Sequence, residues 1–133
     1  MGAVDTNVLV RLLVADDKAQ LSDVLGLLAD ADRNGESLFV PVTVILELEW
    51  VLRSRYGFQK DEIVLTYIAL LERKEFEFQH EAAIEFAIFR SRQSNSDFAD
   101  CLHVSLAELS DQLPLYTFDR RARRLPGTSS LSD

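Results

Sequence analysis

The sequence predicts an α/β fold, and three observations carry that expectation. Leu38-Phe39-Val40 is a continuous apolar run too short for a helix, and Phe76-Glu77-Phe78 alternates as a strand does. Leu115-Tyr116-Thr117, following Pro114, reads the same way. Between these runs lie longer stretches whose apolar residues recur at helical spacing. Strands separated by helices imply parallel pairing through crossover connections.

Each element follows from its own residues. Residues 3–5 read as a first strand and 6–14 as a short helix, closed by Asp16-Asp17, which also offers the next N-cap. From Ala19 to Ala31, Leu21, Val24, Leu25, Leu27 and Leu28 keep helical spacing until Asn34-Gly35 stops them. Pro41 ends the ladder of the 38–40 strand. A helix begins at Thr43, with Leu46, Trp50 and Val51 as its apolar stripe and Leu48 and Leu52 flanking, and it ends at Tyr56-Gly57-Phe58. Lys60–Arg73 is amphipathic through Ile63, Val64, Tyr67, Ile68 and Leu71. Glu81–Arg92 is helical through Ala83, Phe86, Ala87 and Phe89. Ser94-Asn95-Ser96 is the clearest turn. The helix after it starts near Asp97 and aligns Phe98, Leu102, Leu106 and Leu109. A short helix is expected over Arg120–Arg124, and a Gly/Ser-rich, weakly ordered tail from about residue 126 to 133.

Size and composition narrow the function. With 133 residues, 47% of them hydrophobic, the chain suits a single domain with one core. Fourteen Lys and Arg against 22 Asp and Glu give a net charge of −8, which argues against polyanion binding through bulk charge. A local basic patch stays compatible with it. The one cysteine, Cys101, cannot pair internally and fits a reducing compartment. Asp5 interrupts the first apolar run, and no apolar stretch approaches the roughly 18 residues needed to span a bilayer. The expectation is a soluble, cytoplasmic protein with no membrane role.

The chemistry lies in carboxylates. Asp5 follows the first strand and Asp119 the last strong one. Glu47 sits near the start of a helix that follows a strand. Asp97 and Asp100, three apart, share one helix face. In a parallel sheet all of these places fall on the carboxyl edge, where ligands of α/β folds bind. Taken singly, each has a plainer reading as a helix cap or a solvated helix residue. Taken jointly, they are costly: two like charges about 4 Å apart repel by roughly 4 kcal/mol at an effective dielectric near 20. Such a set must protonate, spread apart or bind cations. Hard oxygen donors without His or Cys suit Mg²⁺ or Mn²⁺ and disfavour Zn²⁺. One or two such ions, roughly 3.5–4 Å apart when paired, support phosphodiester hydrolysis.

These residues resemble a known family. Asp5-Thr6-Asn7, Ile45-Leu46-Glu47, Asp97-Phe98-Ala99-Asp100 and Thr117-Phe118-Asp119 stand in the order of the PIN-domain nuclease motifs, and among those the chain looks like a VapC-type toxin of a type II toxin–antitoxin system. The resemblance runs from residue 3 to about 125. It implies a three-layer α/β/α fold around a central, mainly parallel sheet of four to five strands. It also implies an endoribonuclease dependent on Mg²⁺ or Mn²⁺. Asp5, Glu47 and Asp100 match the core metal-binding acids, and Asp119 the more variable fourth. Thr6 and Asn7 match the hydroxyl and amide that hold the first acid and its turn, and Thr117 the hydroxyl before the last acid. Asp97 departs from the common pattern, as an outer residue, a cap or an alternative ligand. The very short first strand and the poor closing strand after Pro126-Gly127 depart from it too.

The resemblance further implies an RNA substrate, a VapB-type antitoxin and a homodimer within a larger complex. The antitoxin would lay an apolar segment near Trp50 and Tyr67, although Trp50 and Leu46 read first as core. Arg120, Arg121, Arg123 and Arg124, directly after Asp119, are the candidate phosphate grip; Arg11, Arg53, Arg55, Arg90 and Arg92 are lesser ones. His80 and His103 read as surface or supporting residues, and Cys101 as packing rather than a nucleophile. Two alternatives stand beside this reading. One is a PIN-like binding module without catalysis. The other is a phosphatase-like hydrolase with Asp5 as nucleophile, against which Asn7 stands where a second acid is usual.

Overall fold

The computed structural model describes residues 2–131 and divides into two compact units, the first ending at Gln79 and the second beginning at His80. Ser132 and Asp133, the end of the expected tail, lie outside the described residues.

The first unit opens with helix α1 (Thr6–Val14), capped by Asp5, and helix α2 (Lys18–Arg33), whose cap Asp17 accepts from Gln20 N at 3.0 Å. Asn34 and Gly35 end α2, with Gly35 in the left-handed region at φ +65°. Strand β1 (Leu38–Val40) pairs in parallel with β2 (Phe76–Phe78), Leu38 opposite Phe76 and Val40 opposite Phe78. All four of these side chains are buried, while Phe39 and Glu77 alternate away. The expected strand at 3–5 is reduced to a parallel bridge between Ala3 and Phe39. Val4 N donates to Phe39 O and Phe39 N to Gly2 O, both at 2.9 Å. Asp5 keeps an extended backbone (φ −97°, ψ −178°) as the cap of α1, and the helix that begins at Thr6 cuts the extended segment short.

Helix α3 (Val42–Arg55) follows directly from Pro41, and helix α4 (Lys60–Leu71) begins where Glu62 accepts from Gln59 N at 2.9 Å. The buried face of α3 is Ile45, Leu48, Val51 and Leu52. This corrects the expected stripe: Leu48 is fully buried rather than flanking, and Trp50 is 50% exposed rather than core. Apolar residues occupy several faces of this helix, so spacing alone selects none of them. Glu49, also buried, is paired with Arg53 one turn on, Nε to Oε2 at 2.9 Å. Tyr67 of α4 is buried, and its hydroxyl donates to Ile45 O at 2.6 Å, fixing α4 against α3.

The second unit packs helix α5 (Glu81–Gln93) against helix α6 (Phe98–Leu109). Ala83, Ile84, Ala87 and Ile88 are the buried residues of α5 beside Ser91, and Phe98, Cys101, Leu102 and Val104 are buried on α6 with Ser105. Phe86 and Phe89, expected on the apolar face, are instead 45% and 58% exposed. Leu109, at the end of the expected α6 stripe, is exposed too. Strand β3 (Leu115–Thr117) pairs in parallel with β4 (Thr128–Ser130), and a 3-10 turn (Ala122–Arg124) stands in the crossover where a short helix was expected.

Strand β4 corrects the expectation of a loose tail from residue 126. Leu115 N donates to Gly127 O at 2.8 Å and Leu131 N to Thr117 O at 3.1 Å, extending the ladder at both ends. Gly127 has φ +93°, and a Cβ there would lie 3.3 Å from Leu113 and Val104 side-chain carbons, so glycine is required to start this strand. Among the described residues the three-residue strands form two two-stranded parallel sheets, one in each unit, with Ala3 bridged to the first. Among the described residues no helix is long and apolar enough to cross a membrane.

Candidate functional site

In the first unit the acids are Asp5 and Glu47. Asp5 is exposed at the mouth of α1, where Oδ1 accepts from Val8 N at 3.1 Å. Glu47 is exposed on α3, and its Oε1 accepts a hydrogen bond from the buried Thr6 hydroxyl. This corrects the expected role of Thr6. Its hydroxyl holds Glu47, whereas the backbone amide of Val8 holds Asp5. One residue therefore links the start of α1, where Asp5 sits, to Glu47 on α3. Asn7 is exposed.

In the second unit Asp97, Asp100 and Asp119 form one electrostatic group. Asp97 occupies the N-cap position of α6 but makes no side-chain cap bond; Oδ1 lies 3.8 Å from Arg121 Nη1. Asp100 is half-buried one turn into α6. Burial pushes its carboxyl above the usual carboxylate range, the charges of Asp119 and Asp97 push further, and His103 opposes them. Asp119 is fixed from two sides. Thr117 Oγ1 accepts from Asp119 N at 2.9 Å, and Asp119 Oδ1 accepts from Arg121 N and Ala122 N at 2.8 and 3.3 Å. The hydroxyl two residues before the acid thus shapes the turn that presents it. Ser96 Oγ donates to Arg121 O at 3.0 Å, tying the turn before α6 to the arginine turn. Arg120, Arg121, Arg123 and Arg124 are all exposed.

Among the described residues no group of three or more His, Cys, Asp or Glu side chains is arranged to hold a metal ion. The donor chemistry nonetheless fits a hard cation: every candidate ligand is a carboxylate, and Asp100 bears a like-charge load that a cation would relieve. Cys101 is fully buried, as expected of a packing residue. His103 is exposed, three residues from Asp100; His80 is exposed in the left-handed region at φ +53° at the entry to α5.

Sequence reasoning missed two supports, the Thr6–Glu47 bond and the Ser96–Arg121 tie. Both join residues far apart in sequence, which spacing does not reveal. It also missed an open groove beside Phe86 and Phe89. Its trace is legible in hindsight, since apolar residues at 83, 84, 86, 87, 88 and 89 exceed one helical stripe.

Strand-end carboxylates, supported by hydroxyls and followed by a basic turn, on an α/β chain, define a class that comparison identifies. The PIN domain profile matches residues 3–127, and the chain belongs to the PIN-domain family. A VapC ribonuclease from Aquifex aeolicus (strain VF5) is 26% identical over 125 residues, covering 94% of this chain and 92% of that protein. The likeness within the family is therefore to the VapC type.

Proposed function

We propose that this protein is a divalent-metal-dependent endoribonuclease acting as the toxin of a toxin–antitoxin pair. The observation that carries the reading is the PIN match spanning all four acidic motifs together with a relative named as a VapC ribonuclease. Asp5, Glu47, Asp100 and Asp119 are the metal-binding acids, with Mg²⁺ or Mn²⁺ as the cation. When bound, the metal supplies an activated water and neutralises charge on the phosphate.

The chain's own residues do the rest. The Val8 amide fixes Asp5, Thr6 orients Glu47, and Thr117 with the 121–122 amides aims Asp119. The arginines after Asp119 take phosphate oxygens. Attack in line with the ribose 3′ oxygen leaves a 5′-phosphate and a 3′-hydroxyl. A VapB-type antitoxin and a cytoplasmic setting belong to the same reading, as does self-association. Of the two aromatics expected beneath an antitoxin segment, Trp50 on α3 is half-exposed and open to one, whereas Tyr67 is buried and is not.

The test is incubation of the purified protein with total cellular RNA, with Mg²⁺, with Mn²⁺ and with chelator. Discrete cleavage, present only with metal and leaving 5′-phosphates, is the expected outcome. A folded, antitoxin-free protein that cuts no RNA under any of these conditions refutes the reading and favours a non-catalytic PIN module.

A further inference from the structure

A groove of about 690 Å³ opens in the second unit between the outer face of α5 and the segment that leaves the arginine turn. Phe86 and Phe89 line one side; Arg124, Leu125 and Pro126 line the other; Gln93 and Ser94 close one end. The core does not account for these aromatics. The α5 face that packs on α6 is Ala83, Ile84, Ala87 and Ile88, and Phe86 and Phe89 stand off it, one turn apart and about half exposed. Leu125 is buried and gives the groove a firm apolar floor.

We propose that this groove holds a base of single-stranded RNA next to the cut bond, stacked on Phe86 and Phe89, with its phosphate on Arg124. The proposal rests on the nuclease reading above and adds to it the place where the strand continues.

Three observations favour a nucleotide over other occupants. First, the groove offers a nucleotide's own chemistry in one place: aromatic faces for a π-surface, the Gln93 amide for a base edge, and a guanidinium for the anion. Second, its charge is graded. Arg124 belongs to a turn carrying four arginines in five residues, and among the described residues only Arg121 of these is ion-paired, with Asp97. Arg90 is engaged by Ser105 and Glu108, and the one acid lining the groove, Glu85, lies roughly 13 Å back along α5 from Ser94. Third, the Ser94 end adjoins the acids. Only Asn95 and Ser96 separate Ser94 from Asp97, and the Ser96 hydroxyl is bonded to Arg121 O. The arginine turn therefore meets the acidic group at Arg121 and the groove at Arg124.

The test separates stacking from charge. The probes are a labelled ten-nucleotide oligoadenylate RNA and an abasic ribose-phosphate strand of equal length, both bound in chelator so that neither is cut. Wild type should prefer the oligoadenylate. Phe86→Ala/Phe89→Ala should weaken oligoadenylate binding by roughly 5- to 150-fold and leave the abasic strand unchanged. Arg124→Ala should weaken both strands and reduce the salt slope by about 0.7. Phe89→Trp, which keeps the stacking face, should retain the preference and guards against misfolding of the alanine variant.

If the phenylalanine variants bind oligoadenylate as wild type does while wild type still cleaves RNA, the stacking site is overturned and the nuclease reading stands. Binding of a protein segment in the groove without loss of RNA affinity in these variants overturns it in the same way. If wild type neither binds nor cleaves RNA, the nuclease reading fails with it.

Discussion

Thr6 is the residue whose role is most specific and least visible in the sequence. Next to Asp5, it reads as a partner of Asp5, yet its hydroxyl reaches across to Glu47 on α3. A bond between residues 41 apart has no local signature, whereas Asp5 as a cap of α1 was legible because a capping acid acts within one turn. Thr6→Val keeps the shape and removes the donor. We expect it to raise the metal concentration needed for half-maximal cleavage and to cost about 1 kcal/mol of stability or less, since Glu47 is free to hydrate. Thr6→Ser should restore the metal requirement, and an unchanged requirement in the valine variant would remove the positioning role.

Asp100 carries a stability consequence with a definite sign. Its folded carboxyl titrates above its unfolded value, so ionisation is harder in the folded protein. Below the unfolded value, about 3.9, neither state is charged and nothing is lost. As pH rises from there through the raised folded value, stability falls, and at neutral pH without metal the ionised carboxylate is a net burden. Asp100→Asn should therefore raise the melting temperature of the metal-free protein at pH 7 and leave it little changed near pH 3. A lower melting temperature at pH 7 would contradict the assignment of a charge-loaded acid.

At the scale of elements, helices were legible where caps and periodicity agree. Thr6–Val14 follows a capping Asp, Lys18–Arg33 runs from Asp17 to Asn34-Gly35, and the three strands at 38–40, 76–78 and 115–117 stand where short apolar runs placed them. The faces of α3 and α5 were not legible, because each carries apolar residues on more than one side and only tertiary packing chooses among them. The strand at Thr128–Ser130 hid in a polar Gly/Ser segment, since its order comes from ladder bonds to β3 and from the turn at Gly127 rather than from side-chain burial. The arginine turn is the element with the plainest functional consequence. Arg120→Ala/Arg121→Ala should weaken RNA binding and flatten its dependence on salt, by about 0.7 in slope for each phosphate contact removed. An unchanged salt titration would take the turn out of the interface.

For the whole molecule, charge and function pull in opposite directions. Under the proposed function, a chain of net charge −8 has to meet RNA through locally concentrated cations, and four arginines stand directly after Asp119. The α/β class and the acidic motifs were legible from order and spacing, and the PIN match runs through both compact units. Asp5 and Glu47 belong to the first unit and Asp97, Asp100 and Asp119 to the second, and the proposed function predicts that a substitution in either unit lowers cleavage. The most direct test is metal-dependent RNA cleavage by Asp5→Asn and Asp100→Asn beside wild type, with folding of each confirmed by circular dichroism. Loss of cleavage by at least a hundredfold in both variants, with both folded, is the result this account predicts. Metal-dependent cleavage that survives both substitutions would contradict it.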